Sequence, residues 1–309
     1  MGKGRGGLLT ALLLVALTGL GGCVLLGGNE GPLEERPLPV EADSIEEVEI
    51  AEDLPTPPPP LPPTGPPTEE VPQRENPFSD AILLQHAQGV SYGIYFFSEE
   101  ILYASEDSHE MPAASVIKVF IMDYVFARID GGELPADYRI AGQSIGELVR
   151  GMIQWSDNGA TNVLIDYFGM ESINQYLRER GFTETVLQRR MLDMEARNRG
   201  FDNYTSTGDV MAFLQRLYHN QGLYPYNEML EIMKGQEVRT KMHLFLPAGT
   251  VVASKTGELH DVENDMGIVF AGDSAFALVV LTRDVRDTAA VRQAIGQLAR
   301  EAYDYAAAG

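Results

Sequence analysis

Cysteine is almost absent from this chain. Cys23 is the only one in 309 residues, so no disulfide can form within it. Histidine is sparse and dispersed: His86, His109, His219, His243 and His260 fall at spacings that make no zinc-ligand pattern, so no metal site is expected. Basic residues are outnumbered, with 23 Lys and Arg against 45 Asp and Glu and a net charge of −22. That sign argues against nucleic acid as a partner and against electrostatic docking on anionic lipid. Long apolar runs are missing too. The one near the N terminus, residues 8–17, is too short to cross a bilayer comfortably. No internal repeat is apparent.

The N terminus nevertheless has an order of its own. Lys3 and Arg5 precede the apolar run, and Leu20-Gly21-Gly22-Cys23 follows it. A charged start, a short apolar core and small residues form a secretory signal. Its ending resembles the lipobox of bacterial lipoproteins, which implies that Cys23 is lipidated and becomes the first residue of the mature chain. The resemblance further implies export and anchoring to the outer face of the cytoplasmic membrane, or a periplasmic or outer-membrane lipoprotein in a Gram-negative host.

Residues 29–76 hold 13 of the 18 prolines, and 13 acids against Arg36 and Arg74 alone. That composition cannot bury enough apolar surface to offset the entropy of ordering, so a disordered, partly polyproline-II tether is expected. Its reach would be on the order of 100 Å. The charge divides as +2 for residues 1–28, −11 for 29–76 and −13 for 77–309. Three segments follow: a signal over 1–22, a lipidated cysteine and tether over 23–76, and one folded domain over 77–309.

Within the domain, alternation predicts strands over 89–97 and 101–104. Helices are expected over 115–129, 145–152, 161–168, 172–180 and 207–220, the last capped by Thr207. Apolar β-rich runs at 250–257, 266–271 and 275–282 read as three more strands, with Gly272-Asp273-Ser274 as a hairpin turn. Residues 291–305 read as a closing helix. The fold class is therefore α/β (α+β): an antiparallel sheet of about five strands drawn from both chain ends, flanked by helices, with an inserted helical lobe. The cleft lies between sheet and lobe.

Three short motifs fall on this frame: Ser115-Val116-Ile117-Lys118, Ser156-Asp157-Asn158 and Lys255-Thr256-Gly257. S-x-x-K alone arises about once by chance in such a chain, but the ordered set is far rarer. Ser115 and Lys118 share a helix face, where a partly desolvated lysine can act as a neutral amine base for a serine nucleophile. At a helix start the Ser115 N–H is also a candidate oxyanion donor. Ser156-Asp157-Asn158 lies on a turn before a helix. A lysine and a glycine inside the apolar 250–258 strand are unexpected unless something docks there.

In order and spacing these motifs resemble class A β-lactamases and penicillin-binding proteins, over about residues 77–309. The resemblance implies an acyl-enzyme on Ser115 with Lys118 as base and no cofactor. It implies that Ser156 relays a proton and that Asn158 binds substrate and orients Lys118. It further implies that Lys255 and Thr256 hold a substrate carboxylate, that Gly257 lets the ligand approach, and that the Glu258 backbone supplies a second oxyanion N–H. Class A enzymes carry a glutamate in E-x-x-L-N that activates the hydrolytic water. Aligned from Leu187, that position falls on Met191 and the motif's asparagine on Glu195. Either Glu195 serves as the base, or deacylation is slow and the protein behaves as a penicillin-binding, D-Ala-D-Ala peptidase-like enzyme. A catalytically silent peptidoglycan-binding module is the third reading. The expected ligand is a β-lactam or a peptidoglycan stem peptide, bound by a monomer.

Overall fold

The computed structural model describes residues 75–105, 110–135 and 137–308. Cys23, the signal and nearly all of the tether lie outside the described residues. The strands are β1 (Ala87–Phe96), β2 (Ile101–Ala104), β3 (Met111–Pro112), β4 (Arg139–Ile140), β5 (Gln143–Ser144), β6 (Tyr204–Thr205), β7 (Val251–Leu259), β8 (Val262–Ala271) and β9 (Ser274–Val285). The helices are α1 (Ala81–His86), α2 (Ile117–Asp130), α3 (Ile145–Gln154), α4 (Asn158–Phe168), α5 (Met170–Glu179), α6 (Met194–Asn198), α7 (Thr207–His219), α8 (Tyr226–Lys234) and α9 (Thr288–Ala308).

Five strands make one antiparallel sheet in the order β2-β1-β9-β8-β7, built from both chain ends as expected. Its central strands are apolar on both faces because both are covered. From β1 and β9, Val90, Tyr92, Ile94, Phe96, Phe276, Leu278 and Val280 pack under α1 and α9. Ala275, Ala277, Val279 and Leu281 of β9 face the helical lobe. α2 is the axis of that lobe: Ile117 through Phe126 are all buried, so it is apolar all round rather than amphipathic. Burying each large side chain there contributes about 1.5–3 kcal/mol.

Several boundaries move for local reasons. Ser115 lies not on α2 but on the 3₁₀ turn Ala114–Val116 that leads into it. α4 starts at Asn158 rather than 161, because the Asp157 carboxylate caps it by accepting from Gly159 N and Ala160 N. α7 is capped by Ser206, whose Oγ accepts from Asp209 N, not by Thr207. β8 begins at Val262, four residues before the expected strand. Its first residues Glu263, Asn264 and Asp265 are polar yet buried, and their partners are distant in sequence.

Candidate active site

Four hydrogen bonds hold the turn that presents Ser115. Ala113 N donates to Asn203 O at 2.8 Å, and Asn264 Nδ2 donates to Pro112 O at 2.7 Å and Ala113 O at 3.3 Å. Val116 N donates to Ala113 O at 3.0 Å. Under that restraint Ala114 takes φ +46°, a left-handed conformation costing a non-glycine residue about 1–3 kcal/mol. Ser115 is left partly exposed, while Lys118 in the first turn of α2 is fully buried.

Ser156 is also left-handed, at φ +56°. Asp157 N donates back to Gly151 O, and the Asp157 side chain caps α4. Lys118 Nζ lies 2.8 Å from Ser156 O, 2.8 Å from Asn158 Oδ1 and 3.1 Å from Ser156 Oγ. Burial pushes the Lys118 amine down to about 7, with Asp157 opposing part of the fall. A neutral amine keeps two N–H for the two carbonyl oxygens and accepts from the Ser156 hydroxyl with its lone pair. An ammonium satisfies all three contacts. The geometry therefore tolerates both protonation states.

Lys255 reaches the same hydroxyl from the sheet. Its Nζ is 3.1 Å from Ser156 Oγ and 2.8 Å from Thr256 O. Burial, then the neighbouring Lys118, holds it well below the ordinary lysine value. Gly257 follows on β7, the edge strand of the sheet. A Cβ placed there would lie 3.0 Å from Ala113 O and 3.2 Å from Ser115 N, so only a glycine allows the strand this close to the serine turn.

Beyond Gly257, the Glu258 carboxylate accepts from Lys241 Nζ at 2.7 Å and Thr240 Oγ1 at 3.1 Å, and pairs with Arg292 at 3.2 Å. Partial burial works against ionisation, but Lys241 and Arg292 prevail and hold it below the usual carboxylate range. Glu263, opposite Glu258 in the β7–β8 register, pairs with the same two cations.

The structure thus brings Ser115, Lys118, Ser156, Asn158, Lys255, Thr256, Gly257 and Glu258 to one place. It does not bring Glu195 there. That carboxylate is on α6, 84% exposed, and pairs with Arg199 at 3.5 Å. Asp193 caps α6 through Ala196 N. Met191 is buried, its backbone clamped by Asn162: Met191 N donates to Oδ1 at 2.8 Å and Nδ2 donates to Met191 O at 3.1 Å. Asn162, Asn203, Asn264, Lys241 and Arg292 were not foreseen, because buried amides and charges carry no periodic signal. Among the described residues, no group of three or more His, Cys, Asp or Glu could hold a metal. Gly142 to Gly146 also spell G-x-S-x-G. Ser144 there is no exposed nucleophile, since its Oγ accepts from Glu147 N as the cap of α3 and donates to the Glu147 carboxylate.

Comparison with known proteins identifies the family and the fold. The model of the Beta-lactamase enzyme family matches residues 78–306. The extended-spectrum β-lactamase PER-1 of Pseudomonas aeruginosa is 24% identical over 235 residues, covering 63% of this chain and 75% of that protein. β-Lactamase SME-1 of Serratia marcescens is 28% identical over 160 residues, covering 48% of this chain and 54% of its own length. The crystal structure of a β-lactamase from Chitinophaga pinensis superposes with a TM-score of 0.69 at 22% identity, over 74% of this chain and 97% of that one.

Proposed function

The chain belongs to the β-lactamase enzyme family, and on that premise we propose that it opens β-lactam amide bonds through an acyl-enzyme on Ser115. Neutral Lys118 takes the Ser115 Oγ proton as the oxygen attacks the ring carbonyl. The N–H groups of Ser115 and Glu258 receive the oxyanion. As the C–N bond breaks, the proton passes from the Lys118 ammonium to Ser156, and Ser156 gives its own to the leaving nitrogen. Asn158, Lys255 and Thr256 hold the substrate. The observation that carries this reading is the Ser156 hydroxyl, 3.1 Å from each of two buried amines, Lys118 and Lys255. Such a bridge is what a proton relay requires, and a solvated serine cap would have no use for it. Incubation with a fluorescent penicillin followed by intact mass spectrometry tests it. The wild type should gain one drug mass and Ser115→Ala none, with its melting temperature nearly unchanged. Labelling of Ser115→Ala at the wild-type rate would sink the assignment.

A second reading concerns the fate of the adduct, and Met191 motivates it. With a thioether there and Glu195 turned to solvent, neither position offers a carboxylate to activate water. A persistent adduct would indicate a penicillin-binding, D-Ala-D-Ala peptidase-like enzyme, a transient one a β-lactamase. No adduct at all would indicate a silent peptidoglycan-binding module. We also propose that Cys23 carries a lipid that holds the domain at the cell envelope by its acidic, proline-rich tether. Cys23→Ser should release the protein into the soluble fraction, and unchanged membrane association would remove the anchor.

A further inference from the structure

The helical lobe opens at the end away from Ser115. α2 carries Lys118 in its first turn and Ile129 in its last, and α3 runs from Ile145 to Gln154, just before Ser156. The connection between the two helices folds into the β4–β5 hairpin, which packs against α3 and α4. On the α8 side of the same seam lies a cavity of about 360 Å³. Its floor is apolar: Phe126 and Ile129 of α2, Ile145 and Val149 of α3, and Ile232 of α8. From Lys118 to Ile129 the rise along α2 is about 16 Å, which sets the cavity well apart from the Lys118 amine.

The seam is pinned at the other end of α3. Gln154 Nε2 donates to Ile232 O at 3.2 Å, Gln236 Nε2 to Ile153 O at 3.0 Å, and Glu237 N to Gln154 O at 3.0 Å. These bonds join the last turns of α3 and α8 and hold the walls of the cavity in place. Its rim is charged. Asp137, from the α2–α3 connection, and Glu228, from the first turn of α8, line it against Arg150 alone among the described lining residues. Tyr224 completes the rim, its ring packed edge-on against Phe126 with centroids 6.3 Å apart. Burial first, then the charges of Asp130 and Glu228, hold the Tyr224 phenol above its ordinary value. An apolar floor thus lies under a rim of net negative charge.

We propose that this cavity is a binding site for small amphipathic amines. An aryl or alkyl body lies on the floor between α2, α3 and α8, and the protonated nitrogen meets Asp137 and Glu228. The volume falls in the range of small-molecule sites, about 300–1,000 Å³. A neutral ligand of the same shape gains the floor alone, and an anion meets two carboxylates as like charges. A polyamine with no apolar body leaves the floor uncovered. The inference stands apart from the acyl-enzyme reading, because neither Ser115 nor any residue grouped with it lines the cavity.

The test titrates the protein calorimetrically with phenylbutylamine, and with phenylbutanol and phenylbutyrate as its neutral and anionic counterparts. At neutral pH the amine should bind at least about threefold tighter than the alcohol, since each exposed ion pair contributes up to about fivefold. The carboxylate should bind weakest. Asp137→Asn combined with Glu228→Gln should abolish the preference for the amine and leave the Kd of the alcohol within about twofold. Gly146→Leu narrows the cavity from the first turn of α3, where a Cβ meets only Arg150 Nη1, at 3.5 Å, and where leucine suits a helix better than glycine. It should weaken the amine and the alcohol together by about tenfold or more. The proposal is overturned by any one of three results: no saturable binding of the amine, a preference over the alcohol below about threefold, or an amine affinity unchanged in Gly146→Leu. If Gly146→Leu melts well below the wild type, the double variant decides alone, since Asp137 and Glu228 are both exposed and their neutral isosteres disturb no packing. A preference for the amine that survives there overturns the proposal as well.

Discussion

The pH dependence of acylation is the most direct probe of the Lys118 amine. An ordinary lysine titrates near 10.4, so at pH 7 only about 4 in 10⁴ molecules hold the free base. Burial lowers Lys118 to about 7, which makes about half of the molecules competent. The gain in free base is therefore roughly a thousandfold, about 4.1 kcal/mol at 1.36 kcal/mol per tenfold. The sign is fixed: the base is lost as pH falls through the folded value. The acylation rate should reach its plateau above about pH 8, fall to about a tenth of it at pH 6 and to about a hundredth at pH 5. Lys255 approaches the same Ser156 hydroxyl, so the limb reports the pair of amines, and a shallow curve is compatible with the argument. Lys118→Arg keeps donors for Ser156 and Asn158 but cannot be a base. It should lose about 10² to 10⁴ in acylation rate and lose the acid limb with it. The assay is stopped-flow or quenched-flow labelling with a fluorescent penicillin between pH 5 and 9.5. A wild-type rate that is flat over this range, or that rises only above pH 9, would refute the reasoning.

Three further outcomes concern the neighbours. Gly257→Ala puts a methyl 3.0 Å from Ala113 O and 3.2 Å from Ser115 N, so β7 and the serine turn must separate. Acylation should fall at least about tenfold, with a stability loss of about 1–3 kcal/mol by thermal melting. Glu195→Gln removes only a solvent-exposed pair with Arg199, so adduct lifetime should be unchanged and stability should move by less than about 0.5 kcal/mol. A prolonged lifetime in that variant would restore Glu195 as the base. Met191→Glu, on the backbone clamped by Asn162, should shorten the adduct lifetime measured by mass spectrometry, by up to about 10² to 10⁴.

The three motifs were legible because each is local: four, three and three consecutive residues state their chemistry without reference to the fold. The sheet was legible as well, since five strands with hydrophobic content at both chain ends leave few other arrangements. What escaped is long-range. Asn264 lies outside the expected 266–271 strand, and only its bonds to Pro112 O and from Thr282 N show why the strand starts earlier. Lys241, in an irregular stretch, looks solvated in sequence but lies buried against Glu258, Glu263 and the neighbourhood of Asp265. Ser115 was expected on a helix, because nothing in the residues themselves announces that Asn203 and Asn264 would twist Ala114 into a left-handed conformation. Strain of this kind is imposed from outside the segment that bears it.

The same contrast between local and long-range explains why the two half-reactions look so different here. On the proposed reading, acylation draws on α2, the Ser156 turn and β7, which meet where Lys118 and Lys255 both approach the Ser156 hydroxyl. By the resemblance, deacylation would draw a carboxylate from the 187–207 loop, and each acid on that loop is paired, capping or turned to solvent. Asp202 is fully used by Arg189 at 2.6 Å and Arg197 at 2.8 Å, and Arg197 goes on to Asp261. Asp193 is committed to the cap of α6. Glu195, two residues further on, faces solvent. To bring any of these carboxylates inward would break an ion pair or a cap and bury a charge beside Met191, in a loop whose backbone Asn162 and Asn203 already fix. A loop so tied can hold a water or an apolar group against the acyl-enzyme. It has no spare base to activate that water, so on the proposed reading the expected adduct is a persistent one.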